Sequence, residues 1–471
     1  MGSVVTAALQ RDEYRAVLAA LLILVPGCIL VVLGGDRTLV IGIAGVTAMG
    51  MMLDRDARLL ILLVIIPFGY FQFAKGYGLY LVYDAFFILL FLGRLLLVDL
   101  LQWRKAPVLG WLFLMAAAFL PSLLNSPKLS ASGTAYIRFF MGALTAWGVY
   151  YYAIRSKRPG FILLAARLFA LEAAAVSVVG VYQSYASGSF IKIVTGRVYF
   201  SYFGDPNYYA AYLLMAFAIA LALFFHDRRW SLRLVDAAAA GALTFAVVST
   251  ISRAGLLTLV FLVGAFALYV LVTGRGSHKI AGAAVTILIA GGVGVLLFTN
   301  IGSRLVDIVR LSSRVQQAVA GRDASLEQRG KILEVTWRVI EAHPVVGVGF
   351  GGFEQSFDAY KLGLLSTGSA RSVHNTPLRI VAETGVIGLV PSMGFALSLF
   401  LFLWKGTRAS DRAGARTFVT GLLMAVVSYF VMSLTLDQLL EYQFWPICGL
   451  ALAAAETALR DSQPLLGEEG A

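Results

Sequence analysis

Residues 205–229 read DPNYYAAYLLMAFAIALALFFHDRR. An aspartate followed by a proline opens the stretch, the pair that suits the N-cap and first position of a helix. From Asn207 to Phe225 no charge interrupts the run, and as a helix it is long enough to cross a hydrocarbon layer of about 30 Å. His226, Asp227, Arg228 and Arg229 then mark a return to water. The partial positive charge of the helix N-terminus lies at the end away from those arginines.

The rest of the chain repeats this pattern. Of 471 residues, 59% are hydrophobic and 14% charged, with a mean hydropathy of +0.82, well beyond an ordinary soluble domain. Apolar runs lie near 16–34, 38–53, 59–74, 79–98, 107–125, 134–153, 161–183, 207–225, 234–250, 254–273, 280–300, 385–404, 417–434 and 444–459. The expectation is an all-α polytopic membrane helix bundle of about 12–14 transmembrane helices, the runs at 38–53 and 59–74 being short for a span.

A net charge of +12 invites a nucleic-acid reading, but the charge is scattered among loops rather than gathered into a patch. With the N-terminus inside, RSKRPG from Arg155, HDRRWSLR from His226, GRGSHK from Gly274 and KGTRASDRAGAR from Lys405 all fall on the cytoplasmic side, as the positive-inside rule requires. Both termini are then expected in the cytoplasm. The first helix reads as an anchor rather than a cleaved signal, because further spans follow it. Cys28 and Cys448 lie inside apolar runs and act as small hydrophobes. The division expected is transmembrane helices over 1–300, interrupted by an outer loop at 184–206. An outer loop with short amphipathic helices follows at 301–384, then the last spans over 385–460 and a disordered tail at 461–471.

Within the long outer loop, SLEQRGKILEVTWRVIEAHP opens with Ser325 and Gln328 in capping-box spacing and stops before Pro344. Its apolar stripe is read through Leu333, Trp337 and Ile340, which makes a helix on the outer membrane face or over a cavity, with Arg329 continuing that stripe. The next segment, VVGVGFGGF, lets backbone approach something bulky. As a phosphate loop it lacks the Walker spacing and the lysine.

Several basic residues are not explained by the inside rule. Arg197 lies in the first outer loop, and Arg253 lies in STISRAGLL, a tight tip between two apolar runs. Arginine so close to hydrocarbon is costly unless it faces a cavity or a partner, the plain alternative being a side chain that snorkels to lipid headgroups. Arg138 and Arg167 lie inside spans and are read as ion pairs with Asp84 or Glu172. In RSVHNTPLRIVAETGVIGLV, from Arg371, Thr376 is read as an N-cap and Pro377 as the first helical residue. His374 then stands beside a helix N-terminus that disfavours its protonation. Gly385 ends or bends the segment, and Glu383 is read as pairing with an arginine. None of HExxH, GxSxG, a P-loop or a cysteine cluster occurs, so no metal or cofactor site is expected. Outward arginines with one neutral histidine suit the handling of a phosphate or diphosphate, since guanidinium matches phosphate oxygens bidentately.

On FGDPNYYAAYL, the SRAG tip with Arg253, HPVVGVGFGGF and above all HNTPLRIVAETGVIGL, the sequence resembles the O-antigen ligase and O-antigen polymerase superfamily of membrane glycosyltransferases, from about Arg197 to Leu389. That resemblance implies a C-type glycosyltransferase bundle in the bacterial inner membrane, with its active site facing the periplasm. It implies an undecaprenyl-pyrophosphate-linked glycan as donor. Lipid A core, a lipid-linked repeat unit or another glycan would be the acceptor, beside membrane lipids and without nucleic acid or metal. By motif it makes His374 the base, Arg197, Arg253 and Arg329 the diphosphate ligands, and Asp205, Asn207, Asn375 and Glu383 supporting residues. The reaction it implies is inverting, with lipid pyrophosphate leaving. Family polymerases often pair an arginine with a glycine after ten residues; Arg338 and Gly349 have that spacing, whereas Arg197 precedes Gly204 instead. A transporter for an anion or lipid-linked substrate, or a scaffold subunit, are the competing classes.

Overall fold

The computed structural model describes residues 55–68, 72–74, 77–97, 107–186, 205–227, 229–250, 252–273, 324–364, 372–409 and 413–461. The expected spans at 16–34, 38–53 and 280–300, Arg197 and the C-terminal tail lie outside these residues. The described helices are α1 (Arg55–Val64), α2 (Leu79–Leu97), α3 (Pro107–Phe119), α4 (Leu129–Arg155), α5 (Phe161–Ala186), α6 (Pro206–His226), α7 (Trp230–Ser249), α8 (Arg253–Thr273), α9 (Ala324–Ala342), α10 (Phe353–Tyr360), α11 (Thr376–Ala409), α12 (Ala413–Ser433) and α13 (Phe444–Asp461). A small antiparallel pair, Gln72–Ala74 with Tyr77–Gly78, is the described β structure.

Eight described helices are long and apolar enough to cross a membrane: α2, α3 with the turn after it, α5, α6, α7, α8, α11 and α12. The chain is a polytopic membrane helix bundle. The apolar run at 59–74 is not one span: it breaks into α1, a 3-10 turn over Ile66–Phe68 and the first strand. Ten residues of helix cover only about 15 Å, half a hydrocarbon layer.

The stretch quoted at the outset forms the centre of the bundle. α6 is apolar on all sides and buried along nearly its whole length, as such a helix must be. α5, α7, α8 and α12 surround it, while α4 and α13 pack on each other beside α11.

The two ends of the bundle differ in charge. Arg55 Nη2 donates to the Arg155 carbonyl at 2.6 Å, and Arg158 lies 3.4 Å from Asp56. Gly414 approaches His226 at the same end. Arg167 is almost fully buried between Asp227 and Asp236, which ties α5 to the termini of α6 and α7. This corrects the sequence pairing: Asp84 is bonded to Thr145 at 2.6 Å and Glu172 to Tyr212 at 2.5 Å instead. Those carboxylates satisfy neighbouring hydroxyls, whereas Arg167, early in α5, reaches the loop that α6 enters at its far end. The opposite end carries Asp205, Ser252, His374 and the turn between α12 and α13.

Candidate functional site

The site is built where α11 breaks. Gly385 has φ 62° and ψ −162°, so the helix is interrupted there, as the sequence predicts. The break frees backbone groups, and the glycine-rich strap after α9 takes them up: Val348 N donates to Ala382 O at 3.0 Å and Gly349 N to Glu383 O at 3.0 Å. In return Val386 N donates to Pro344 O at 2.9 Å and Ile387 N to Val345 O at 3.3 Å. A Cβ at Gly385 would strike the Val345 carbonyl, and one at Gly347 (φ 72°) would strike that of Glu383. Gly347 therefore approaches the broken helix itself, whereas Gly349 approaches Ser126 and Gly351 approaches Ala135 on α4.

From Gly347 to Phe353 every N–H of the strap is engaged. Gly347 N donates to His343 O, Phe350 N to Ser122 Oγ, Gly351 N to Glu383 Oε2, Gly352 N to Gly349 O and Phe353 N to Glu383 Oε1, besides the two given above. A phosphate cradle needs free N–H groups. The glycine-rich segment Gly347–Phe353 offers none, and the Glu383 carboxylate fills the place an anion would take at the start of α10.

Glu383 also accepts from Arg379 Nε at 3.0 Å, the arginine partner its position predicts. Arg379 bridges onward to Asp437, 3.4 Å away, on the turn between α12 and α13. A narrow cleft lies at this bridge, lined by Thr376, Arg379, Glu383 and Asp437 with Phe350 and Leu440 among its apolar walls. Asp437 accepts in turn from Ser372 Oγ and from Asn375 N at 3.2 Å, so one carboxylate grips the chain on both sides of His374. The cap of α11 differs from expectation. Asn375 Oδ1 accepts from Leu378 N at 3.0 Å and is the N-cap; Thr376 Oγ1 instead donates to Leu436 O at 2.6 Å and accepts from Gln438 N at 2.9 Å. Thr376 is drawn off by the turn that also carries Asp437.

His374 adopts φ 54°, the left-handed region that non-glycine residues rarely occupy. Burial, and secondly the charge of Arg329, lower its pKa from 6.5, opposed by Asp437 and Asp205. The imidazole is therefore neutral at pH 7, through desolvation first rather than through the helix terminus. Its Nδ1 is buried with no hydrogen-bond partner among the described residues. A buried polar atom left open is characteristic of a group whose partner arrives with substrate.

Arg329 faces His374 by a route other than the one the sequence suggests. On α9 the buried stripe runs through Ile332, Val335, Thr336 and Val339, whereas Leu333 is 47% and Trp337 57% exposed. Arg329, half-buried, precedes Ile332 and Thr336 by one and two turns and so borders the inner face. Ile332, Val335 and Val339 pack with Val348, Phe353, Phe357, Val373 and Ala382 into a small outer core, and this core fixes the loop over α11.

Asp205 caps α6 as predicted, accepting from Asn207 N at 2.7 Å. Ser252 Oγ accepts from Gly255 N at 3.2 Å to begin α8, which starts with the half-buried Arg253. Gly255 packs against Ala210 on α6, so Arg253 stands at the same end of the bundle as Asp205 and His374. The structure thus gathers His374, Arg329, Asp205, Asn375 and Glu383 in one neighbourhood, with Arg253 and Asn207 at the same end. Asp437 and Arg379 were not singled out by the sequence, nor was Tyr208, whose hydroxyl donates to Asp437 O at 3.3 Å. An available signal was the acidic pair Asp437 and Glu441 inside a gap of only about ten residues between two apolar runs.

No curated protein matches the chain. Residues 237–393, about a third of the sequence, match the family described as O-Antigen ligase. That segment runs from α7 to the first turns of α11 beyond Gly385, and so includes Arg253, Arg329, the strap and His374. The match, on a polytopic helical bundle, supports the resemblance to the O-antigen ligase and polymerase superfamily and, in general terms, O-antigen ligase-like glycan transfer.

Proposed function

We propose that the protein transfers a glycan from undecaprenyl pyrophosphate to an acceptor hydroxyl at the periplasmic face of the bacterial inner membrane. The basic end of the bundle then lies in the cytoplasm, in keeping with the positive-inside rule. The observation that carries the reading is His374: a neutral, half-buried imidazole in a left-handed turn, faced by Arg329, with its buried Nδ1 open.

In the proposed reaction the acceptor oxygen attacks the anomeric carbon opposite the lipid diphosphate, and its proton passes to His374. The C–O bond to the diphosphate breaks, undecaprenyl pyrophosphate leaves with the electron pair, and the configuration inverts. Arg253 and Arg329, with Arg197 from the adjoining loop, stabilise the negative charge on the leaving group, so that guanidinium groups do the work a metal does elsewhere. Asp205, Asn207, Asn375 and Glu383 support the site through the caps and the strap rather than by touching substrate. A neutral base and fixed cations at one end of the bundle favour this over transport, where charges gather near the midplane.

The test is reconstitution. Purified protein in liposomes is given an undecaprenyl-pyrophosphate glycan and, separately, each candidate acceptor. One glycan joined once to lipid A core identifies a ligase, and a ladder of repeats identifies a polymerase. His374→Ala is expected to abolish transfer with normal protein levels and intact donor; transfer retained in that variant removes the proposed base. Movement of donor across the bilayer without glycan transfer would replace the reading by transport.

A further inference from the structure

α9 presents three faces. Its inner face is buried in the outer core, and the opposite face carries Lys331–Glu327 and Arg338–Glu334 ion pairs, each at 2.7 Å. Between them, on the flank next to Arg329, lie Leu333 and Trp337, spaced by one turn and about half exposed. Ion pairs on one side and large apolar groups on another are not the pattern of a helix with two environments. They indicate a third.

The direction of α9 shows what that environment is. Its C-terminal end is pinned to the α11 break through Pro344 O and Val345 O, while Arg329 near its other end acts on His374 just before α11. α9 and the first turns of α11 therefore run in the same direction, and the Leu333 and Trp337 flank descends toward Val345 and Val386. There the exposed apolar surface continues as Val345, Val386, Ile387, Val390, Met393 and Leu397, from 39% to 64% exposed. From Val386 onward these belong to a membrane-crossing helix, so their exposure is to lipid. Tryptophan at the outer end of such a surface suits the interface, where an apolar ring meets headgroups.

We infer that the Leu333 and Trp337 flank of α9 seats in the outer leaflet of the bilayer, with the ion-paired face in water and Arg329 held at headgroup depth. The partner is the phospholipid surface itself, in the manner of an interfacial amphipathic helix. The consequence is a fixed height for the site: His374 and Arg329 sit where the headgroup of any lipid-anchored anion lies.

The experiment uses full-length protein in nanodiscs with Cys28 and Cys448 replaced by alanine and one nitroxide at Leu333→Cys or Trp337→Cys. Met393→Cys and Glu334→Cys serve as lipid and water references. Power saturation is expected to place both labels between the references, with oxygen favoured over a water-soluble nickel chelate relative to Glu334→Cys. Accessibility to nickel equal to that of Glu334→Cys overturns the inference, and so does exclusion of both reagents, which would mean that protein covers the flank. Should the cysteine variants fold poorly, quenching by lipids brominated near the headgroup is compared between the native protein and Trp337→Phe. Loss of part of the quenched emission supports the inference; an unchanged quenched fraction overturns it. No glycan enters either readout, so the result stands apart from the proposed transfer.

Discussion

His374 holds a backbone conformation that an L-residue adopts only under constraint, and the constraint is Asp437, which bonds both Ser372 and the Asn375 amide. Two charges of opposite sign thus act on one imidazole, and they predict opposite shifts. In the proposed reaction the neutral ring is active, so rate is lost as pH falls through its pKa, which burial and Arg329 set below 6.5. Arg329→Gln removes a charge that opposes protonation, and the acid limb of the kcat/KM profile is expected to move to higher pH. Asp437→Asn removes a charge that favours protonation while keeping its shape, and the limb should move to lower pH. Matching limbs in all three proteins would show that His374 does not govern the profile. Asp437→Ala, which releases both backbone holds, is expected to lower kcat by about 100-fold with a smaller change in KM, the size of loss that misplacing a reacting group by about 1 Å brings.

At the scale of elements, the strap and the broken helix form one unit. Neither can close its hydrogen bonds alone, and each passes within contact distance of the other's carbonyls at Gly347 and Gly385. An alanine at Gly385 meets both a left-handed φ and the Val345 carbonyl, so Gly385→Ala is expected to destabilise the outer loop by at least about 1–3 kcal/mol. Thermal unfolding in detergent reads this, and a midpoint equal to the native protein's would contradict the packing. The break itself was legible: HNTPLRIVAETGVIGL shows a helix start, an apolar face, a buried acid and a glycine in order. Eight spans among the described residues were legible too, because uninterrupted apolar length is a strong signal, though the same signal misread the run at 59–74. The stripe of α9 was not. Leu333, Trp337 and Ile340 obey the same helical spacing as Ile332, Val335 and Val339, and periodicity gives a stripe without saying which of two apolar stripes meets protein. The cap was misread for a similar reason. Asn375 and Thr376 both suit the position, and the choice was made by the Leu436 carbonyl, sixty positions along the chain.

For the whole molecule, charge is separated by role along the bundle. At one end carboxylates and guanidinium groups surround the proposed substrate site; at the other, Arg167 with Asp227 and Asp236 ties three helices together around the buried α6. Such a group gives little net stability when complete, since desolvation offsets attraction, but removal of its cation leaves two carboxylates stranded in a low dielectric. Arg167→Met is therefore expected to lower stability by about 3–5 kcal/mol. Adding Asp227→Asn and Asp236→Leu to that variant should recover much of the loss, because no uncompensated charge then remains. Transfer by the single variant, assayed well below its unfolding midpoint, should keep the native KM and pH profile, since the cluster lies at the far end of α6 from Asp205. A KM or a profile altered in a fully folded Arg167→Met protein would mean that the two ends are coupled through α6, and that the buried arginine acts on the site as well as on the fold.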